Sequence, residues 1–374
     1  MSLEKILHVN NDNYNLGGAF ILAYRLEKYL QKFGFSYDYL TMDHFVIDSA
    51  NYPIPDDDKT YSANLRKNRL IGHFVLPFYV DNVLKHNDYK IIHIDTDSAW
   101  KALLYAVPAH RRGLKVIVHS HAMAIEGDSV CIKKSLEIIA KSILTKYSNR
   151  YIACSKMAAE WILPNNSLTK VDIIPNGIEM TDFYFCFEER EEYRRKYKLD
   201  KSIVIGNVGV FTKTKNQEYL VLLLDSLLRE NYDVKLLLVG NKNTSYGNKI
   251  GKMVKDLGLE DKVILTGNTK DVRQFMNAMD VYIQPSLYEG FGLVSVEAQA
   301  TGLLTLISES LPKETIVSNW AYSFNVSRGQ DAVKRVISEY NFSVKERARK
   351  KLNENCGLDT MAKKVSEIYK TLIE

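Results

Sequence analysis

Short runs of β-branched and apolar residues alternate along the chain with longer stretches whose apolar positions recur at helical spacing. That alternation predicts an α/β architecture, parallel sheets covered by helices on both faces. The predicted strands fall into two series. The first is Ile6–Val9, Tyr37–Leu40, Ile91–Ile94, Val116–Val118, Tyr151–Ala153 and Asp172–Ile174; the second is Ile203–Val208, Val234–Val239, Val263–Leu265, Val281–Ile283 and Leu304–Ile307. Between them, Phe187–Leu199 carries Glu and Arg/Lys at i, i+3 and i+4 spacing, which predicts an exposed helix. The boundary between two domains is therefore expected near 176 to 200, giving an N-terminal domain over 1–176 and a C-terminal domain over 177–357.

The final stretch, Thr360–Ile373, places Met361, Val365, Ile368, Tyr369 and Leu372 on one helical stripe that must pack on something. Residues 358–374 are accordingly expected to form a helix that packs back on the N-terminal domain. Asp43–Arg69, rich in Asp, Asn and Pro, reads as one long irregular stretch, and such stretches in compact domains are usually functional or mobile.

Composition narrows the class. At 374 residues, 46% hydrophobic and 25% charged, the chain has room for a core in each of two domains and is neither disordered nor fibrous. Four cysteines are scattered with no C-x-x-C pair, which argues against a zinc knuckle or a disulfide framework and points to a reducing, cytoplasmic setting. No signal-peptide pattern and no run of 18 apolar residues is present, so neither export nor a membrane span is expected.

A net charge of +5 is too small for a dedicated nucleic-acid binder, and no nucleic-acid partner is expected. Its distribution says more. Residues 101–150 hold nine basic side chains against three acids, a local +6, which suits either a solvated helix face or peripheral contact with an anionic membrane surface or a phosphorylated acceptor. All eight histidines lie within the first 121 residues.

Five segments after predicted strands carry residue types suited to chemistry. In NNDNYNLGGA, Gly17 and Gly18 open a helix, where backbone N–H groups can approach an anion, although a plain strand-to-helix turn has the same spelling. In KVIVHSHA, His119 and His121 fall on one side of an extended segment. They could be metal ligands, structural histidines or polar contacts to a bound substrate. Asp95-Thr96-Asp97 spells D-x-D, a cation chelator or simply the N-cap region of the next helix. In GNVGVFTKTKN, Lys213 and Lys215 sit where a glycine turn meets a helix start, a place for a diphosphate or for surface lysines.

The remaining segment, PSLYEGFGLVSVEAQATG, runs from a strand through a glycine-flanked loop bearing Glu289 into a helix bearing Glu297. Eight helical residues would separate two carboxylates by ~12 Å and roughly 80°. That exceeds the ~5 to 9.5 Å of a glycosidase acid/base pair and suits the two ends of an elongated polyol. The amides of Phe291, Gly292 and Leu293 would point at an anion between them.

With these residues the chain resembles family 4 of the retaining glycosyltransferases, which have the GT-B fold, and within it the bacterial capsule and exopolysaccharide enzymes. The resemblance covers essentially the whole chain. It rests on the E-x7-E from Glu289 to Glu297, with support from IPNGIE at 174–179, GNVGVFTKTKN at 206–216 and AMDVYIQPS at 278–286. It implies two Rossmann-like domains with a cleft between them. It also implies transfer of a hexosyl unit from a nucleotide sugar, a UDP-sugar by expectation, with retention at the anomeric carbon and with neither metal nor cofactor. The acceptor would be a glycan or a lipid-linked sugar, and the enzyme would be cytoplasmic and peripheral on the inner face of the cell membrane.

By the same resemblance, Glu289 holds hydroxyls of the donor sugar, Glu297 the ribose hydroxyls, and Lys215 the diphosphate, helped by the amides of Phe291 to Leu293. Gly17 and Gly18 match the glycine loop beneath the diphosphate, and His121 the histidine that contacts the donor sugar near the reacting carbon. One position departs: where the family usually has an arginine facing the departing diphosphate, this chain has Val210. Lys213 is expected to substitute. Without that substitution the chain would be a non-catalytic partner subunit; a nucleotide-sugar epimerase is a further user of the same architecture.

Overall fold

The computed structural model describes residues 3–10, 18–41, 59–63, 69–121, 130–164, 171–199 and 201–374. The chain divides into two compact units, residues 1–177 with 357–374, and residues 178–356.

The first unit is built on seven parallel strands: β1 (Glu4–Asn10), β2 (Phe35–Thr41), β3 (Thr60–Ser62), β4 (Ile91–Thr96), β5 (Lys115–Ser120), β6 (Arg150–Ala153) and β7 (Val171–Ile173). Their order is β3-β2-β1-β4-β5-β6-β7. Helices α1 (Gly18–Leu30), α2 (Arg69–Lys85), α3 (Ala99–Arg111), α4 (Val130–Tyr147) and α5 (Lys156–Ile162) connect them. Strand residues buried on both sheet faces explain the near-continuous apolar runs that made these strands legible.

One face is covered by α1 and the C-terminal helix, Leu358–Ile373, whose Met361, Val365, Ile368 and Tyr369 enter the same core as Phe20, Leu26 and Leu30. The other face is covered by α2, α3 and α4, with Leu76, Val80, Tyr105 and Leu144 in its core.

The second unit repeats the plan with six parallel strands: β8 (Ile203–Val208), β9 (Val234–Val239), β10 (Val263–Leu265), β11 (Val281–Gln284), β12 (Leu304–Ser308) and β13 (Ala321–Phe324), in the order β10-β9-β8-β11-β12-β13. Its helices are α6 (Phe187–Lys196), α7 (Gln217–Arg229), α8 (Ser245–Asp256), α9 (Val272–Ala278), α10 (Leu293–Ala300), α11 (Asp331–Glu339) and α12 (Val344–Arg347). In both sheets the order reverses beside the first strand, between β1 and β4 and between β8 and β11. Such a switch point leaves a crevice at the carboxyl ends of the strands.

Three expectations are corrected. The stretch 43–69 is not wholly irregular: β3 lies inside it, and α2 starts at Arg69. The α2 sequence, RLIGHFVLPFYVDNVLK, is apolar nearly all round and contains Pro77, so no helical period announces it. β13 is a further strand that the apolar runs do not announce. The helix at 187–196 is exposed on one face only: Arg190 and Arg194 on the other are buried, ion-paired to Asp280 at 2.6 and 3.1 Å. Their guanidinium groups also donate to the carbonyls of Asn277 and Met279 (Arg190) and Ala278 (Arg194), the open C-terminal end of α9.

Candidate active site

In the first unit, the carboxyl ends of β1, β4 and β5 assemble a buried cluster of four imidazoles around one carboxylate. Strand register sets it: His8 lies beside His93, and Asp95 beside His119. Asp95 Oδ2 stands 3.2 Å from His8 Nε2, while Oδ1 stands 3.5 Å from His93 Nε2, 3.4 Å from His119 Nδ1 and 3.2 Å from His121 Nε2. His93 and His119 touch through their ring nitrogens at 3.1 Å, and His93 Nδ1 meets the Tyr369 hydroxyl of the C-terminal helix at 2.6 Å.

The charges in this cluster sort by environment. Burial would raise the Asp95 pKa, but the facing His8 and His121 overcome it and hold the carboxyl well below its ordinary value. Burial would likewise lower His121, yet the Asp95 charge, seconded by Cys154, pushes it up to about 10. His93 and His119 are lowered by burial and stay neutral. His121 is also the least enclosed of the four, 14% exposed against 1 to 3% for the others.

Gly18 opens α1, and among the described residues nothing lies within 4 Å of where its Cβ would stand. Gly17 lies outside the described residues. The two carboxylates of the D-x-D part company: Asp95 joins the histidines, while Asp97 accepts from Lys101 at 2.7 Å, just before the Ser98 N-cap of α3.

The sequence reading missed His8, His93 and Asp95 as companions of His121. All three lie at alternate positions on neighbouring strands, but only the strand order reveals that β1 and β4 are neighbours. Two sets, His8 with His93 and Asp95, and Asp95 with His119 and His121, bring their ligand atoms within 4.8 Å of one another, a donor set able to hold a divalent transition ion.

In the second unit, two loops at the carboxyl ends of β8 and β11 are tied together. Leu287 N donates to Thr214 O at 2.8 Å, Asn216 Nδ2 to Pro285 O at 3.1 Å, and Lys215 Nζ is 2.8 Å from Glu289 Oε1. That Glu289 oxygen also accepts from Ser286 Oγ and Gln284 Nε2, and Tyr282 donates to Gln284 Oε1 at 3.1 Å. Burial raises the Tyr282 hydroxyl first, and the charges of Glu289 and Glu297 add to it, so both carboxylates bear on one buried ring.

Glu289 lies in the loop before α10 and Glu297 within α10, so the spacing of two residues on one helix does not apply to them. Gln284, Ser286 and Tyr282 were not anticipated. Their only signal is a polar strand end in an otherwise apolar run.

Glycine makes this geometry possible. Gly292 has φ 86°, and a Cβ there would stand 3.0 Å from the Leu311 side chain and 3.3 Å from Gln284 Nε2. As an N-cap it offers the start of α10 no side-chain cap, and Phe291 before it is buried. A Cβ on Gly240 would stand 2.1 Å from Gly209 O, so only glycine lets the ends of β8 and β9 approach there. Lys213 and Val210, both exposed, lie in the same loop as Lys215. Two lysines, a helix N-terminus and a pair of carboxylates together suit a ligand that is anionic at its middle and hydroxylated at its ends.

Residues 16–182 match the family described as Glycosyltransferase Family 4, and residues 189–355 the family described as Glycosyl transferases group 1. A Bacillus subtilis protein named as the glycosyltransferase EpsF is 26% identical over 324 residues, 84% of this chain and 81% of its own length. The UDP-Gal:alpha-D-GlcNAc-diphosphoundecaprenol alpha-1,3-galactosyltransferase of Escherichia coli is 26% identical over 246 residues, 63% of this chain and 62% of its own. Among solved structures, Anabaena Alr3699/HepE in complex with UDP and glucose superposes with a TM-score of 0.78 at 17% identity, covering 98% of this chain and 100% of that one. The last likeness shows the fold.

Proposed function

We infer that this chain, which belongs to the glycosyltransferases of the GT-B fold, moves a hexosyl unit from a UDP-sugar to a glycan or lipid-linked acceptor in surface polysaccharide synthesis, with retention at the anomeric carbon. The observation that carries the reading is the bonded set Lys215–Glu289–Gln284–Ser286, set against the amides that open α10. In this reading Lys215 and the amides of Phe291, Gly292 and Leu293 hold the diphosphate, Glu297 the ribose, and Glu289 the sugar hydroxyls. Lys213, exposed in the same loop, supplies the charge that Val210 cannot.

In the same reading His121 contacts the sugar near its reacting carbon, and Gly17 and Gly18 belong to the glycine loop that meets the diphosphate. The leaving phosphate takes the acceptor's proton, so no side-chain nucleophile is required. No cofactor and no metal enters the scheme. The enzyme works on the cytoplasmic side, peripheral to the membrane, through the unit that contains the basic segment 101–150. Among the described residues no helix is long and apolar enough to cross a membrane.

The experiment is Glu289→Ala in the purified chain, with product analysis by anomeric configuration. Sugar transfer should vanish while the fold persists, and full activity of the variant with the confirmed donor overturns the assignment.

Val210, 48% exposed where a cation would face the diphosphate, favours one second reading, a partner subunit without activity of its own. Donor turnover by the chain alone excludes that reading.

A further inference from the structure

The outward faces of α2 and α4 are the least expected surface in the first unit. On α2, Phe74 and Phe78 are 78% and 77% exposed and Val75 44%; on α4, Leu136, Ile138 and Ile139 are 53%, 69% and 60% exposed. Single exposed apolar residues are commonplace, but these six stand on two helices that flank the same third helix, α3. The inner faces are fully occupied by Leu76, Val80, Ala140 and Leu144, so the outer residues are not a misplaced core.

Cations frame this face. Each of α2, α3 and α4 precedes a parallel strand, so their C-terminal ends fall at one edge of the sheet. That edge presents Lys85, Arg111 and Lys146, all exposed, together with Lys115 at the start of β5. Four further cations of the basic segment are committed elsewhere: Lys101 to Asp97, Arg112 to Asp81, Arg150 to Asp172, and Lys141 over the Trp161 ring. An apolar face beside a cationic edge is the chemistry of a surface that sits in the headgroup layer of an anionic leaflet.

We propose that α2 and α4 form a lipid-docking surface, with Phe74, Phe78, Ile138 and Ile139 entering the acyl boundary and Lys85, Arg111 and Lys146 meeting lipid phosphates. It gives the membrane contact of the reading above a specific surface and rests on that reading for the choice of the cytoplasmic, anionic leaflet. The apolar helix faces supply the anchoring, and the charge selects the lipid.

The test is co-sedimentation of the full chain with vesicles of phosphatidylcholine alone and with added phosphatidylglycerol, at low and high salt. UDP-induced thermal stabilisation is measured on the same preparations. The chain should bind the anionic vesicles, release them as salt rises, and bind phosphatidylcholine at least tenfold more weakly. Phe74→Ser with Phe78→Ser, and separately Ile138→Ser with Ile139→Ser, should each weaken binding at least tenfold with UDP stabilisation and melting temperature unchanged. Lys85→Glu with Lys146→Glu should remove the preference for anionic lipid.

A wild-type chain that binds UDP but no vesicle overturns the surface. So does one whose self-association, by light scattering, is abolished by the same serine variants, because the face would then bind a second copy. A chain that binds vesicles and not UDP supports the surface and overturns the donor reading instead.

Discussion

Lys215 and Glu289 share one bond, yet their removal should read differently. Lys215→Met takes away a charge-assisted contact to a diphosphate whose charge grows as the bond breaks, a loss of ~10²- to 10³-fold in kcat expected from removal of a single such contact. Glu289→Ala takes away contacts to neutral hydroxyls and leaves Lys215, Gln284 and Ser286 without their common acceptor, so donor affinity should fall along with turnover. Steady-state kinetics with varied donor checks both.

His121 offers a separate handle. Its folded-state pKa of about 10 lies above the ordinary value of 6.5. Its contribution to stability is therefore complete below about pH 6.5 and is lost as the pH rises toward 10. Thermal melts between pH 7 and 10 should show that decline in the wild type and a flatter profile in Asp95→Asn, where the balancing carboxylate is gone. The same cluster is also the place to look for an ion. Exhaustive chelation is expected to leave transfer rate and melting temperature unchanged; a loss of either, restored by zinc, would contradict the metal-free scheme.

How far each element could be read from the sequence depended on whether its burial leaves a period. Strands such as Val234–Val239 and Leu304–Ser308, buried on both faces, appear as apolar runs, and the amphipathic C-terminal helix appears as a stripe. β3 is three residues of TYS at the sheet edge, and β13 begins and ends in the core but exposes Tyr322 and Ser323, so neither leaves a run. The lysine loop and the Glu289 loop were legible because their glycines and charges are local in sequence, whereas the histidine cluster depends on strand order, which local patterning does not encode.

Gly292 is the position where element geometry and site coincide. Gly292→Ala would force a Cβ into the left-handed region at a cost of about 1 to 2 kcal/mol and press it against Leu311 and Gln284. Because Gln284 bonds Glu289, the substitution should weaken UDP binding more than it lowers the melting temperature, which calorimetric titration and thermal melts resolve.

Each unit carries its own cores on the two faces of its own sheet, the second with a further small cluster of Ile307, Leu311 and Ala321. That organisation permits the units to be perturbed one at a time in the intact chain. Met361, 3% exposed in the core shared by α1 and the C-terminal helix, should cost about 2 to 5 kcal/mol when replaced by Ala. UDP should act on the other unit, because Lys215, Glu289, Glu297 and the α10 amides all lie within residues 178–356. A ligand at 100 times its dissociation constant adds about 2.7 kcal/mol, and a domain of this size moves by about 2 to 4 °C per kcal/mol. Scanning calorimetry of the full chain should therefore show one transition lowered by Met361→Ala and a different one raised by roughly 5 to 11 °C with UDP. If both perturbations move a single transition, the units unfold together. If UDP moves none, the nucleotide reading of the second unit's loops fails, whatever the first unit does.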